Sequence, residues 1–311
     1  MNFDYLEASK SLSKDKPCLD YLEHKASYNS GWQKFIYEGC KAVEIWMNPE
    51  ADKMKIKGSI PYFIAGQNFK TGPEDFNIGI NHLSEVLNID LLKAEVNVFE
   101  FGTILEIPFS VREVFNSHLK IQGMKTRSFD YGKYFEDGVM TFKLYDANKN
   151  LKNKLTKNER EKLTSLYDYK PSANYLKIES HYKRPSIYFK SRFLDIESLR
   201  SESFQTTCKG ELLNKYISIM KASSINVNSK KQLTSSTIPL LLLKEYESLL
   251  PCNIDELIKQ KIKSFPSNIM TQEDKKSRRR QIKANMKKLE SIKTCKYDIS
   301  EILASQIILT K

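Results

Sequence analysis

The sequence predicts an α+β protein, in which an antiparallel sheet with packed helices is followed by a mainly helical, basic region. Three observations predict it. Apolar residues alternate with period two through much of residues 54–182, helical spacing takes over from about Leu194, and the positive charge is concentrated in the second half. The expected division is an α+β unit over residues 1–190 and a basic, DNA-binding or accessory helical region over 191–311.

In chain order, Met54–Lys57 and Pro61–Ala65 read as two short strands around a turn at Gly58-Ser59. Phe76, Ile80, Leu83 and Leu87 recur at helical spacing and predict a helix to Asn88. Ala94–Pro108 is a long strand-like run, and Ser110-Val111-Arg112-Glu113 is a capping-box pattern opening a helix to about Lys120. Gly138–Tyr145 alternates as a strand. Thr156-Lys157-Asn158-Glu159 opens a helix to about Asp168, and Asn174–Tyr182 is a further strand. Helices are then expected over Glu211–Lys221, Leu240–Leu250, Asp255–Lys263 and Gln272–Ile292, with a Ser-, Asn- and Lys-rich break over 223–237.

Of the 311 residues 50 are Lys or Arg and 38 Asp or Glu, a formal charge of +12. Residues 1–150 carry a net −3 and residues 151–311 a net +15, an asymmetry that points to a polyanion such as nucleic acid, or to simple solubility charge. The densest stretch holds Lys275, Lys276, Arg278, Arg279, Arg280, Lys283, Lys287 and Lys288 with no acid among them. Thr271 can cap this helix with Glu273 and Asp274 in its first turn. Such a helix suits phosphate contacts better than base reading, or is a solvated face.

The 40% apolar content can build a core, which excludes wholesale disorder. No run approaches the ~20 apolar residues of a membrane span, and Met1–Glu7 shows no secretion signal, so a cytoplasmic protein is expected. Five scattered cysteines without CxxC spacing argue against a disulfide framework or zinc finger. No GxGxxG, Walker loop or HExxH occurs, so no small-molecule cofactor is expected. The four histidines lie far apart.

Carboxylates on strands remain. Val98, Glu100, Gly102, Ile104 and Glu106 share one face of their strand, opposite Phe99, Phe101, Leu105 and Ile107. On the strand near Asn174, Tyr175, Lys177, Glu179 and His181 share a face. Hard oxygens from neighbouring strands are what Mg²⁺ or Mn²⁺ requires, although half-solvated sheets also carry acids without a metal.

Four segments together carry a resemblance. They are Met54–Asn68, Val98–Gly102 with Ile107-Pro108, Met140–Lys149, and Tyr175-Leu176-Lys177-Ile178-Glu179. In order and approximate spacing they resemble the gene II replication initiators of filamentous phages and related small-plasmid initiators, over about residues 54–190. The chain differs in having Glu100, preceded by Val98-Phe99, where the family usually has Arg-Ile-Asp. It also has Gln67 where some members have histidine. The resemblance implies a relaxase-like nicking fold and rolling-circle replication initiation, by a metal-dependent endonuclease and joining enzyme with a 5′-phosphotyrosine intermediate. It implies Tyr145 as nucleophile, with Lys143 or Lys149 favouring the phenolate or neutralising phosphate. Glu100 and Glu179, with Glu106 as a possible third, would ligate Mg²⁺ or Mn²⁺. The implied partners are origin DNA, single-stranded or supercoiled, and a host helicase and polymerase. Tyr131, Tyr134 and Tyr182 compete as nucleophiles. Two rival functions stay open, a non-catalytic origin-binding protein and a hydrolytic nuclease using the same acids with Lys177 and water.

Overall fold

A computed structural model describes residues 1–12, 15–225, 238–289, 294–295 and 297–309. Its strands are β1 (Asn2–Ser11), β2 (Leu22–Ser27), β3 (Gln33–Tyr37), β4 (Cys40–Asn48), β5 (Lys53–Gly58), β6 (Glu95–Ile107), β7 (His118–Ile121), β8 (Lys125–Phe129), β9 (Gly132–Glu136), β10 (Met140–Asp146), β11 (Asn174–Tyr182), β12 (Ile219–Lys221), β13 (Ser224–Ile225) and β14 (Thr294–Cys295). Among the described residues ten of them form one antiparallel sheet in the order β2-β3-β4-β5-β1-β6-β11-β10-β9-β8. The strands anticipated over Ala94–Pro108, Gly138–Tyr145 and Asn174–Tyr182 form as β6, β10 and β11 and lie side by side near its middle. The helices are α1 (Ile60–Ala65), α2 (Pro73–Leu87), α3 (Val111–Ser117), α4 (Ala147–Lys154), α5 (Lys157–Tyr167), α6 (Pro185–Tyr188), α7 (Ile196–Arg200), α8 (Glu202–Ile217), α9 (Ile238–Glu245), α10 (Ile254–Ser264), α11 (Gln272–Leu289) and α12 (Ser300–Leu309). The molecule is an α+β protein with a large antiparallel sheet.

Two compact units are formed. The first comprises Met1–Val111, Ile121–Ser218 and the chain from Ile299, and it holds the ten-stranded sheet together with α7, α8 and α12. One sheet face is its core. Phe3 of β1 is 1% exposed and meets the rings of Phe76 on α2 and of Phe99 and Phe101 on β6 at centroid separations of 5.0, 5.5 and 5.1 Å. Burying one such ring contributes about 1.5–3 kcal/mol. Tyr182, Phe189 and Phe204 of α8 extend the same aromatic layer. The opposite face is polar at its centre and apolar at one end. There α4 and α5 set Leu151, Leu155 and Leu163 against Tyr169, Tyr175 and Phe69.

The second unit comprises Arg112–Lys120 and Ile219–Asp298. Within it Tyr297 donates to Glu113 at 2.7 Å, and Leu240 and Leu241 of α9 pack with Ile258 of α10 and Met286 of α11.

Several expected elements differ. Pro61–Ala65 is part of helix α1, not a strand: the Ser59 side chain caps it, Pro61 stands in the first turn where its missing N–H costs nothing, and Gly66 ends it at φ 64°. The helix opening near Ser110 stops at Ser117 and gives way to β7, and that ending at Ile217 gives way to β12. The helix expected over Leu240–Leu250 splits into α9 and a single 3₁₀ turn at Glu247–Leu249. The capping box at Thr156 forms as expected, with Asp168 in the left-handed conformation that ends α5. Of the break expected at 223–237, residues 226–237 lie outside the described residues. No helix among the described residues is long and apolar enough to cross a membrane.

Candidate functional site

Strand register gathers the polar residues. Lys143 of β10 stands opposite Glu179 of β11, which stands opposite Gly102 of β6, and Tyr145 stands opposite Lys177. Glu100 stands opposite His181. Two glycines make room. A Cβ on Gly102 would lie 2.4 Å from the Ile178 carbonyl and 3.1 Å from Glu179 Cβ, and one on Gly132 would lie 2.8 Å from Tyr145 Cβ.

β1 adds a residue that the sequence pattern does not single out. Between Phe3 and Leu6 the register slips, so that two residues, Asp4 and Tyr5, occupy the stretch facing Glu100. Such a bulge re-aims side chains. Asp4 joins Lys177, accepts from Ser59 Oγ at 3.0 Å and accepts from Asn68 Nδ2 at 2.7 Å.

The result is a bonded cluster. Lys143 Nζ donates to Glu100 at 2.5 Å and to Glu179 at 2.9 Å, and Lys177 Nζ lies 3.0 Å from the other Glu179 oxygen. Tyr145 Oη donates to that oxygen at 3.1 Å, and His181 Nδ1 is 2.8 Å from Glu100. Side chains of Glu179 and Lys177 are only 2% and 5% exposed, so each is viable as an ion only because its partners are in place. Burial works against the Glu179 charge, but Lys177 and Lys143 outweigh it and hold the carboxyl far below the usual range. Burial likewise opposes the charge on both lysines. Glu179 and Glu100 around Lys143, and Asp4 and Glu179 around Lys177, more than offset it and raise both. Tyr145 behaves oppositely. Burial, then the Glu179 charge, pushes its phenol well above its ordinary value of 10.

Asp4, Glu100 and Glu179 each offer an oxygen, all within 4.8 Å of one another, and this triad could hold a metal ion. The donor set is all carboxylate, which fits a hard cation such as Mg²⁺ or Mn²⁺. Glu106 does not join it. Six residues from Glu100, or about 20 Å along an extended strand, it accepts from Tyr175 Oη at 3.3 Å and pairs with Lys170 at 3.7 Å. A cavity of about 400 Å³ opens over the cluster and is lined by Glu100, Lys143, Tyr145, Glu179, Lys149 and Tyr134. Lys149 sits at its wall with Nζ 5.6 Å from the Tyr131 ring. Of the competing tyrosines, Tyr131 and Tyr134 line this cavity, whereas Tyr182 is buried in the aromatic layer of the opposite face.

The basic stretch forms α11, opened by reciprocal bonds between Thr271 and Asp274. Lys276, Arg278, Arg280, Lys283 and Lys287 are exposed and Arg279 is half-buried; the Lys288 side chain lies outside the described residues. Lys275 is different. It is buried and donates to the carbonyls of Phe265 at 2.5 Å and Lys263 at 3.4 Å, at the C-terminal end of α10, where a cation satisfies carbonyls that the helix leaves open. It is thereby removed from the expected set of phosphate contacts.

No family model, curated protein or solved structure matches this chain.

Proposed function

We propose that the chain is a metal-dependent, tyrosine-type DNA-nicking and joining enzyme with a relaxase-like nicking unit, serving as an initiator of rolling-circle replication. The observation that carries the reading is the hydroxyl of a half-buried tyrosine bonded into a cluster of three carboxylates and two lysines beneath an open cavity. Tyr145 Oη attacks the scissile phosphorus in line, the Oη–P bond forms, and the P–O3′ bond breaks. The phenol proton leaves toward Glu179, the acceptor already aligned with it, and the departing O3′ takes a proton from the surrounding water. Glu179 is a weak base in its present pairing, so Lys143 and Lys177 carry a second role: their positive charge offsets the phosphate and the nascent phenolate. Asp4, Glu100 and Glu179 are the residues that would hold Mg²⁺ or Mn²⁺, which when bound polarises a phosphate oxygen. Cation binding must compete with Lys143 for Glu100 and Glu179, which makes Glu100→Gln the more telling variant of the metal reading. It removes one donor from the less buried side and leaves Lys143 paired with Glu179. Its expected phenotype is a requirement for higher Mn²⁺ with a folded chain, measured as nicking of randomised single-stranded DNA across a Mn²⁺ titration. A wild-type titration curve in that variant removes Glu100 from the metal set.

A second reading has an observation of its own. Every carboxylate of the cluster is already paired with lysine, which is how a structural ion network in a non-catalytic DNA-binding protein is built. The two readings part on one gel: the enzyme leaves a DNA-bound protein band that survives denaturation, and the binding protein does not.

Helix α11 supplies affinity in this account and no base specificity. Replacing Arg278, Arg279 and Arg280 with Gln is expected to flatten the log K versus log salt slope on duplex DNA by about 0.9 per phosphate contact, roughly 2.7 if all three touch phosphate. Lys275→Gln leaves the slope unchanged and instead loosens α10 against α11. Equal slopes for the triple variant and the wild type would make α11 a solvated face.

A further inference from the structure

Away from the Tyr145 cluster, the polar face of the same sheet carries the chain's only two tryptophans, Trp32 and Trp46. Trp46 on β4 stands opposite Lys55 of β5 on one side and Lys34 of β3 on the other. Tyr28 stacks on the Trp46 ring at 5.3 Å and 26°, Lys34 Nζ lies 5.4 Å from that ring, and Lys55 Nζ lies 4.8 Å from the Trp32 ring. The Trp46 indole N–H is satisfied by Glu44 at 3.1 Å. What the rings still offer is π-surface. Tyr28, Trp32 and Trp46 with Lys55 and Lys57 line a cavity of about 290 Å³, at the small end of ligand pockets, which begin at about 300 Å³. The strand beneath is Lys53-Met54-Lys55-Ile56-Lys57. Its methionine and isoleucine are buried, and its three lysines stand on the open face about 7 Å apart. Glu44 is itself neutralised by Lys34 at 2.6 Å.

We propose that this face binds single-stranded DNA, with Trp32, Trp46 and Tyr28 stacking on bases and Lys53, Lys55 and Lys57 meeting the phosphates. Flat rings interleaved with a row of ammonium groups are the two halves of a single-strand site, because every unpaired base has a π-face and every linkage a negative charge. A duplex hides its base faces and could use only the lysines. Glu7 of β1 lines the pocket, and its neighbour Tyr5 approaches His181 at 6.5 Å between centroids. The platform therefore lies on the face that carries Glu100, three strands or about 14 Å across the sheet. A strand held there has a route along the sheet toward Tyr145. The choice of DNA as partner rests on the proposed function; the stacking site itself needs none of the chemistry at Tyr145.

Because both tryptophans belong to the site, the intact chain's own fluorescence reports on it. Oligo(dT) is expected to quench that fluorescence saturably, whereas duplex DNA and heparin at equal negative charge leave it nearly unchanged. Trp46→Ala is expected to weaken oligo(dT) binding, followed through Trp32, by at least about fivefold, and Trp46→Phe to retain most of the affinity. Lys55→Gln with Lys57→Gln is expected to flatten the salt slope by about 1.4, at about 0.7 per single-strand contact. The proposal is overturned if oligo(dT) causes no quench, if heparin quenches equally, if oligo(rU) binds more tightly than oligo(dT), or if a folded Trp46→Ala binds as the wild type does. Adduct formation without quenching would sink this site and keep the nicking reading. Quenching with no adduct would do the reverse.

Discussion

Tyr145→Phe is expected to abolish covalent attachment of DNA while leaving oligonucleotide binding nearly unchanged. The substitution deletes one hydroxyl and keeps the ring over Gly132 and beside Lys177. Glu179 loses the phenol as a donor but keeps both lysines, so the cost in stability is that of a single hydrogen bond, about 0.5–1.5 kcal/mol. A denaturing gel after incubation with Mn²⁺ and randomised single-stranded DNA reads the outcome. An adduct that persists would transfer the role to Tyr131 or Tyr134, the other tyrosines lining the cavity.

Glu179→Gln is expected to abolish nicking and also to destabilise the fold, by about 3–5 kcal/mol, because a buried Lys177 is then left with Asp4 alone and Lys143 with Glu100 alone. The same pairing fixes the dependence of stability on pH. The Glu179 carboxyl is depressed in the folded chain, so its contribution is present above the ordinary value of 4.5 and is lost as pH falls below it toward the folded value. Lys143 and Lys177 are raised, so their contribution is present below 10.5 and is lost as pH rises beyond it. The cluster therefore gives a plateau between about pH 4.5 and 10.5, falling on both sides. Urea unfolding across that range measures it, and in Glu179→Gln the acid limb should flatten. A variant as stable as the wild type, with its acid limb intact, would mean that the ion network contributes nothing.

The sequence made some of this legible and hid the rest for identifiable reasons. Glu100, Lys143, Tyr145, Lys177 and Glu179 each lie opposite a mainly apolar face of their own strand, so parity assigns each to its strand's polar face, and the strand register then brings those faces together. Asp4 escapes that logic. The bulge between Phe3 and Leu6 reverses the parity of β1, so alternation cannot say which face Asp4 takes. Glu106 shows the converse failure. Parity places it on the face of Glu100, but parity carries no information on distance along the strand. The Pro61–Ala65 segment is rich in residues that favour strands, yet its flanking Ser59 and Gly66 cap a helix. Lys275 reads as one of eight equivalent charges until the end of α10 is known to lie against it. The Trp32–Trp46 platform needs the pairing of β4 with β5, which no local pattern within residues 1–50 announces.

Peptide mapping of the adduct reads out whether Tyr145 is the residue that bonds to DNA. The wild-type chain is incubated with Mn²⁺ and randomised single-stranded DNA, digested with nuclease and protease, and its peptides weighed. A nucleotide-phosphate mass is expected on the peptide containing Tyr145, absent when Mn²⁺ is withheld. An unmodified Tyr145 peptide alongside a DNA adduct elsewhere, or cleaved DNA with no adduct on any peptide, would contradict that expectation.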